Sequence, residues 1–338
     1  MKIQNDVTDL LHIDFPVIMA PMFLVSNEAM MRTAIRNGIM GVFPTLNYRK
    51  EGTLDDIINN LHLEILSNDG KPGSFGVNLI VQKSNPLYKK HLDICVARKT
   101  PFYITSLGNP EEVILRAHEY GAKVFCDVTN IVHAEKCASL NCDGFIAVGS
   151  GAGGHAGPHP NYILVPALKK AFPHIPVVAA GGIATGDALL SMLACGASGV
   201  SIGTRFIASE EAGVPMDYKE AVAHYGMEDI IMTERLSGTP CSVINTPAAQ
   251  KLGTKQNWFE KLMSKNPKTK KYFKMLVNVR GLKKLEDALK PGNYNNLWCA
   301  GQSVEMIDDI LSCEKIISNL KEETSISYKK LNTQISDH

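Results

Sequence analysis

The stretch from Val177 to Phe206, VVAAGGIATGDALLSMLACGASGVSIGTRF, decides the fold class of this protein. It contains two short apolar runs, Val177–Ala180 and Gly199–Ile202, with a predicted helix over Asp187–Cys195 between them. Apolar runs of this length beside glycine-rich turns are typical of parallel strands covered on both faces. A helix between two such strands is the pattern of a parallel β-α-β unit.

The same alternation of strand and helix patterns fills the chain before this stretch. The further predicted strands are Pro16–Ala20, Ile39–Phe43, Phe75–Leu79, Phe102–Thr105, Lys123–Val128 and Gly144–Val148. The further predicted helices are Asn27–Asn37, Leu54–Ser67, Pro86–Arg98, Pro110–Tyr120, Ile131–Leu140 and Leu164–Phe172. Eight strands with crossover helices most economically close into a (β/α)₈ TIM barrel of the α/β class. An open doubly wound sheet is the alternative.

The repeating pattern ends after the eighth strand, so residues 1–226 are predicted to form the barrel core. Residues 227–295 look helical and lysine-rich without a strand signal, which predicts a helical insertion between the last strand and the C-terminal helix. This insertion is either a lid over the barrel mouth or a solvated helical pair at the periphery. Residues 296–321 contain the closing helix, predicted over Val304–Leu320, and the polar tail 322–338 is expected to fray.

Composition and charge exclude several classes of protein. Apolar residues make up 45% of the 338 residues, which is enough for a large buried core. The 35 basic and 34 acidic residues are interspersed, so neither nucleic acid nor a membrane is expected as a partner. The eight cysteines form no Cys-x-x-Cys pair, which indicates reduced thiols rather than disulfides or zinc ligands. With no secretory signal and no apolar run of ~20 residues, we expect a cytoplasmic protein without a metal site.

Two glycine turns follow the seventh and eighth predicted strands. The seventh strand runs into Gly181-Gly182 before Thr185 opens a helix, and the eighth ends in Ser201-Ile202-Gly203-Thr204. Glycine lets backbone N–H groups approach a dianion closely, and the N-terminus of the following helix adds its dipole. These two loops are the usual phosphate site of TIM barrels. We therefore predict that Gly181, Gly182 and Ser201–Thr204 bind a phosphate-bearing ligand.

Three other strand ends indicate a planar ligand beside that phosphate. Ala20-Pro21-Met22 follows the first strand and offers a rigid, polarizable surface to an aromatic ring, although an ordinary strand end has the same composition. Asn78 ends the third strand and can donate to and accept from a heterocycle edge, with a turn cap as the alternative. Asp127 ends the fifth strand and either orients the ligand or caps the helix that starts near Asn130.

The segment GSGAGGHAG, residues 149–157, follows the sixth strand and contains one histidine, His155. Its glycines, Gly153 and Gly154 among them, let the backbone fold closely over a planar ligand. An imidazole titrates near neutrality, so His155 can take a proton from a substrate carbon or stabilise an anion. A lone histidine is more often structural, but a place at the mouth of a barrel favours a catalytic role. His159, beyond a proline, is expected to face solvent.

In these motifs the chain resembles the nitronate monooxygenase (2-nitropropane dioxygenase-like) family. The matching motifs are Ala20-Pro21-Met22, Gly76-Val77-Asn78, Ala152-Gly153-Gly154-His155, Ala180-Gly181-Gly182-Ile183 and Ile202-Gly203-Thr204-Arg205-Phe206. The resemblance runs from Asp14 to Leu320 and implies a TIM barrel that binds FMN non-covalently and oxidises nitronates or nitroalkanes with molecular oxygen. It also implies a phosphate on Gly182 and Ser201–Thr204, a flavin ring beside Pro21 and Met22, and a cofactor contact from Asn78. His155 then lies near flavin N5 as base or anion stabiliser, while the cofactor carries the redox chemistry.

Two departures from the family pattern leave the substrate open. Many members carry Gln and Glu where this chain has Val148 and Gly151, and some carry Lys in place of Asp127. Neighbouring families with the same histidine segment include a flavin-dependent enoyl-acyl-carrier-protein reductase and an NADH:quinone reductase. An NAD(P)H-dependent flavin reductase that acts on quinones or an enoyl thioester is therefore the alternative function.

Two further interpretations rank lower. An inosine-monophosphate-dehydrogenase type of enzyme would share the glycine phosphate turns, but it needs a cysteine nucleophile after the sixth strand, where this chain offers Ser150 and His155. A non-catalytic barrel that only binds a phosphate-bearing ligand would require His155 to be structural. The oligomeric state stays open, with a homodimer as the candidate assembly.

Overall fold

The computed structural model describes residues 2–82, 84–234, 240–252 and 297–335. Its strands are β1 (Val17–Met19), β2 (Met40–Pro44), β3 (Ser74–Ile80), β4 (Phe102–Ser106), β5 (Lys123–Val128), β6 (Gly144–Val148), β7 (Gly154–His155), β8 (Val177–Ala180), β9 (Gly199–Ile202), β10 (Ile230–Thr233) and β11 (Cys241–Ile244). Strands β1 to β6, β8 and β9 form a closed barrel in that order, and β9 pairs in parallel with β1. The predicted TIM barrel is confirmed, and the open sheet is wrong.

The described part of the chain has twelve helices, most of which cover the outer faces of the barrel strands. They are α1 (Asp6–Leu11), α2 (Glu28–Arg36), α3 (Thr53–Ser67), α4 (Tyr88–Ala97), α5 (Glu111–His118), α6 (Ile131–Ala138), α7 (Asn161–Ala171), α8 (Gly186–Ala194), α9 (Thr204–Ile207), α10 (Met216–His224), α11 (Pro247–Leu252) and α12 (Cys313–Gln334). Short 3₁₀ turns span Thr45–Asn47, Met227–Asp229 and Gln302–Met306. No helix in the described ranges combines the length and apolarity needed to cross a bilayer.

The core has two layers because successive strand residues point to opposite faces of the sheet. Side chains such as Ile18, Phe125 and Val178 fill the barrel interior. A larger apolar layer lies between the strands and the surrounding helices. Val7 and Leu11 of α1 belong to the interior layer, so this helix closes the barrel at the amino ends of its strands. The site-bearing loops at the opposite, carboxyl ends therefore rest on a fully packed floor.

The C-terminal helix differs from the sequence prediction at both ends. The predicted helix over Val304–Leu320 begins only at Cys313, where the side chain of Ser312 caps it by accepting from the backbone N–H of Lys315. It then continues to Gln334, so the fraying expected of the polar tail from residue 322 is wrong for residues 322–334. The buried stripe extends to Thr324 at helical spacing and packs against α8, and the helix then continues with exposed residues from Tyr328 to Gln334.

The insertion after the barrel begins with strands, not only helices. β10 and β11 pair antiparallel, and β11 pairs with β7 from the glycine-rich segment, which makes a three-stranded sheet. The expectation that residues 227–295 lack strands is wrong in this part, since the runs IIMT and CSVI are short and rich in strand-forming residues. The rest of the predicted helical insertion, from residue 253 to 295, lies outside the described residues, as does residue 296.

Candidate active site

A cavity of about 1260 Å³ opens at the carboxyl ends of the barrel strands. The sequence-predicted residues that line it are Ala20, Pro21, Met22, Asn78, Asp127, Gly153, Gly154, His155, Gly181, Gly182, Ser201, Gly203 and Thr204. The barrel closure brings these strand ends together although they span most of the chain. Ile202 is the exception, because its side chain is fully buried behind the cavity wall.

The turn after β8 has a backbone that suits an anion. Gly181 and Gly182 have φ angles of 105° and 78°, a conformation that side chains other than glycine rarely adopt. A Cβ on Gly181 would lie 2.5 Å from the backbone nitrogen of Ala152, so the turn packs directly on the glycine-rich loop. Among the described residues, no hydrogen bond uses the N–H groups of Gly182 and Gly203, which line the cavity. These two N–H groups are available to a phosphate.

The N-terminus of α8, whose dipole was expected to help bind the phosphate, already has a carboxylate of the protein beside it. The backbone N–H of Gly186, at the start of α8, donates to the Oε2 of Glu323 at 2.7 Å. The Oγ1 of Thr185, the cap residue of α8, accepts from the backbone N–H of Ala188. A carboxylate at a helix N-terminus stabilises it as a bound anion would. The predicted contribution of the α8 terminus to phosphate binding is therefore reduced by a residue of the C-terminal helix.

Asn161 holds the same turn from behind and was missed by the sequence analysis. Its Nδ2 donates to the carbonyl oxygens of Ala180, at 2.9 Å, and Gly181, at 3.0 Å. A Cβ on Gly149 would lie 2.7 Å from this side chain, so Asn161 also contacts the start of the glycine-rich loop. An asparagine at a helix start looks like a cap in sequence, and the parallel pairing of β6 with β8 brings Asn161 to the end of β8.

His155 stands on the cavity wall in a short strand. The backbones of β7 and β11 pair so that His155 lies opposite Cys241, and Gly154 lies opposite Ser242. His155 lines the cavity and is exposed to the solvent that fills it, and partial desolvation by the surrounding protein lowers the pKa of its imidazole below the usual value. A neutral ring at pH 7 can accept a proton or donate one hydrogen bond. His159 is exposed, as expected.

The chain returns to the site after the insertion, which sequence patterns did not reveal. A Cβ on Gly301 would lie 2.3 Å from the carbonyl oxygen of Gly151, so the two backbones are in direct contact. The N–H of Gly301 donates to the Oγ1 of Thr204 at 3.1 Å. The ring of Trp298 stacks on that of Tyr218 at 5.3 Å, and the Tyr218 hydroxyl donates to the Cys299 carbonyl at 2.6 Å. This segment therefore joins the glycine-rich loop to the turn after β9.

A chain of three polar side chains crosses the ends of β3, β4 and β5. The Nδ2 of Asn78 donates to the carbonyl of Ile104, at 3.1 Å, and to the Oγ of Ser106, at 2.8 Å. The Ser106 hydroxyl in turn donates to the Oδ2 of Asp127 at 2.5 Å. Both amide protons of Asn78 are thereby used, so its Oδ1 is the atom that remains for a ligand. Ser106 lines the cavity and was not predicted.

Asp127 faces the cavity and does not cap a helix. The side chain of Asn130 caps α6 by accepting from the N–H of His133 at 2.9 Å, so the capping interpretation of Asp127 is wrong. Burial raises the pKa of Asp127 to about 6, and the hydrogen bond from Ser106 opposes that rise. In the described ranges it makes no ion pair. No set of three or more His, Cys, Asp or Glu side chains there is arranged to hold a metal ion.

Comparisons with known proteins identify a family, and the similar proteins are named for two kinds of activity. The family model for nitronate monooxygenase matches residues 45–323. A probable nitronate monooxygenase of Staphylococcus saprophyticus is 27% identical over 290 residues, covering 75% of this chain and 81% of that protein. The (3aS,4S,5R,7aS)-5-hydroxy-7a-methyl-1-oxo-octahydro-1H-indene-4-carboxyl-CoA dehydrogenase of Mycobacterium tuberculosis is 26% identical over 348 residues, covering 95% and 96% of the two chains. The structure of FabK from Thermotoga maritima superimposes with a TM-score of 0.83 at 28% identity, covering 98% of this chain and 100% of that chain.

Proposed function

Because the chain belongs to the nitronate monooxygenase family, and is therefore an oxidoreductase, we propose that it oxidises nitronates or nitroalkanes with molecular oxygen and uses FMN as cofactor. The position of His155 carries this proposal. The residue lines the same cavity as the glycine turns after β8 and β9, and its backbone is held by β11. A base or anion stabiliser thus faces the space where a phosphate-anchored ring would lie.

The residues present fit FMN at its three kinds of contact. The N–H groups of Gly182 and Gly203 suit the phosphate, since a Cβ at either residue would meet no atom closer than 3.6 Å. Ala20, Pro21 and Met22 offer an apolar face to the isoalloxazine ring. The free Oδ1 of Asn78 suits the N3–H donor of the flavin pyrimidine edge. Bound FMN would supply the two-electron acceptor for this oxidation.

His155 supplies the acid–base part of the reaction. Its neutral imidazole can accept the proton of a nitroalkane carbon or, with a nitronate already deprotonated, donate a hydrogen bond to the nitro oxygens. Because the lowered pKa keeps the ring neutral at pH 7, both roles are open without prior loss of a proton. The short ladder between β7 and β11 limits the movement of its backbone, and fixed geometry of this kind raises catalytic efficiency.

An anaerobic absorbance experiment tests the proposal. Protein loaded with FMN is mixed with propionate 3-nitronate without oxygen, and bleaching of the oxidised flavin band is the expected result. NADH and NADPH, added to separate samples, should cause no comparable bleaching. A flavin band that stays unchanged with nitronate would exclude the nitronate activity.

An NAD(P)H-dependent reductase or dehydrogenase acting on a thioester is the second candidate. A relative that matches this chain almost from end to end is named for a carboxyl-CoA substrate. The cavity, at about 1260 Å³, also exceeds the ~300–1000 Å³ of ordinary small-molecule pockets, so it has room for a ligand beside a flavin. Rapid flavin reduction by NADH or NADPH, with nitronate inert, would favour this function.

A further inference from the structure

Asp127 is unusual among the groups that line the cavity. It is the sole carboxylate among the described lining residues. Its neighbour Ser106 satisfies Oδ2 with one hydrogen bond, and no cation pairs with it in the described part of the chain. A half-buried carboxylate with one hydrogen bond and no counter-ion is harder to ionise than a solvated one, and it becomes harder still to ionise when an anion binds nearby.

The surroundings of Asp127 on every side contain few charges. The strand β4 contributes Ser106, β3 contributes Asn78, and β6 contributes apolar residues such as Ile146. The titratable or charged groups that line the cavity with Asp127 are Cys126 on β5, His133, Lys136 and Cys137 on α6, His155 on β7, Arg49 before α3, Tyr218 on α10, Cys241 on β11 and Cys299 after the insertion. Lys136, His133 and Arg49 are exposed, so solvent screens their charges.

From this arrangement we propose that Asp127 is a specificity-determining residue that accepts an anionic ligand in the cavity only when its carboxyl group is protonated. Ser106 occupies Oδ2, so the proton resides on Oδ1, from which it can be donated to the anion. Binding of an anion therefore takes up one proton at this residue. The inference rests on the proposed function for its choice of ligand, because a nitronate is an anion.

The same geometry predicts how affinity varies with pH. Burial raises the pKa of Asp127 to about 6, so the protonated fraction falls about tenfold for each pH unit above this value. The apparent dissociation constant of an anion is divided by the fraction of protein competent to bind it. Between pH 6 and pH 8 the dissociation constant should therefore rise by about 50-fold. Nitrate is a suitable probe because it is planar like a nitro group and keeps its charge throughout this range.

Calorimetric titration of the FMN-loaded protein with nitrate tests the inference without relying on turnover. At pH 8, two buffers of different ionisation enthalpy report the number of protons taken up, and we expect close to one for the natural protein. Asp127→Asn should bind nitrate with no pH dependence and no proton uptake. Ser106→Ala removes the hydrogen bond that stabilises the Asp127 carboxylate. The pH above which the affinity for nitrate begins to fall should therefore increase. Ser84→Ala is the control, since Ser84 lines the same cavity but bonds to Gln82.

Several outcomes would overturn the inference. Absence of nitrate binding to the natural protein is one, and a pH dependence that persists in Asp127→Asn is another. If that dependence disappears in His155→Gln instead, the imidazole is the group that takes up the proton. Proton-linked binding of nitrate together with no bleaching by nitronate would retain the role of Asp127 and exclude only the nitronate activity.

Discussion

His155 and Cys241 lie opposite each other in an antiparallel ladder, which joins the glycine-rich loop to a strand that follows the barrel. The position of the imidazole is therefore set by two distant segments of the chain. A loop of glycines alone would leave the ring mobile, because glycine restricts the backbone least. The pairing with β11 explains how a histidine after such a loop can hold one orientation toward the cavity.

Replacement of His155 by alanine should remove turnover while FMN stays bound. The imidazole lines the cavity, but the predicted phosphate and ring contacts come from other residues. General acid–base catalysis contributes about 10²–10⁴-fold, so we expect kcat/KM for the true substrate to fall at least 100-fold. Flavin content after gel filtration and steady-state kinetics measure the two effects separately.

His159→Ala provides the matched control for this experiment. His159 is exposed and lies four residues beyond the proposed catalytic residue. Its loss should leave both flavin content and kcat/KM within about twofold, as is usual for surface substitutions. Turnover in His155→Ala within a few-fold of the natural protein would show that His155 is not catalytic.

Asp127→Asn should make the protein more stable at alkaline pH. The pKa of this group rises from 3.8 to about 6 on folding, so the folded chain binds the proton more tightly than the unfolded chain. The stability that this proton contributes is fully present below pH 3.8 and is lost as pH rises through about 6. An uncharged amide avoids that loss and can still accept the hydrogen bond from Ser106. Each pH unit between these two pKa values corresponds to about 1.4 kcal/mol, so we expect the free energy of unfolding at pH 8 to increase by up to about 3 kcal/mol.

Denaturant unfolding at pH 4 and pH 8 measures this effect. The gain should be confined to the higher pH, where the carboxyl group of the natural protein is ionised. Asp308→Asn, at an exposed position, is the control and should change stability by less than about 0.5 kcal/mol at either pH. A loss of stability in Asp127→Asn at pH 8 would mean that the carboxylate is stabilised by its surroundings.

The barrel and its glycine turns were predictable because each depends on residues close together in sequence. A buried strand, a glycine turn and a helix start leave a local pattern, as in Val177–Phe206. In a closed barrel the carboxyl ends of all strands meet, so residues named strand by strand fall around one cavity. That is why Asn78, His155 and Gly182 could be grouped without knowledge of any contact.

The supporting contacts were not predictable because their partners are remote in sequence. Gly301 reaches Thr204 across 97 residues, and Asn161 reaches the end of β8 only because β6 pairs with β8. Ser106 has no distinctive local pattern, and its role depends on the carboxylate beside it. The helical extension of the tail was missed because a polar composition hides one buried stripe that ends at Thr324.

Asn161→Ala should weaken FMN binding without contact between the side chain and the cofactor. The variant loses both hydrogen bonds to the carbonyls that precede the phosphate turn. Each bond contributes about 1 kcal/mol net, and we expect half of their sum, about 1 kcal/mol, to act on the turn, so the affinity for FMN should fall about fivefold. Fluorescence titration of the apoprotein with FMN measures the change, and Tyr162→Ala, at an exposed neighbouring position, is the control. An unaltered affinity would show that the turn keeps its shape without Asn161.

Glu323→Ala should destabilise the barrel through the start of α8. The carboxylate accepts from the N–H of Gly186, and a charged cap at a helix N-terminus contributes about 1 kcal/mol. Glu322→Ala changes the same charge at an exposed position and should have little effect, which separates the cap from the net charge. Thermal unfolding of the two variants makes the comparison. If they unfold at the same temperature, the C-terminal helix does not brace α8, and the N–H of Gly186 is available to the phosphate after all.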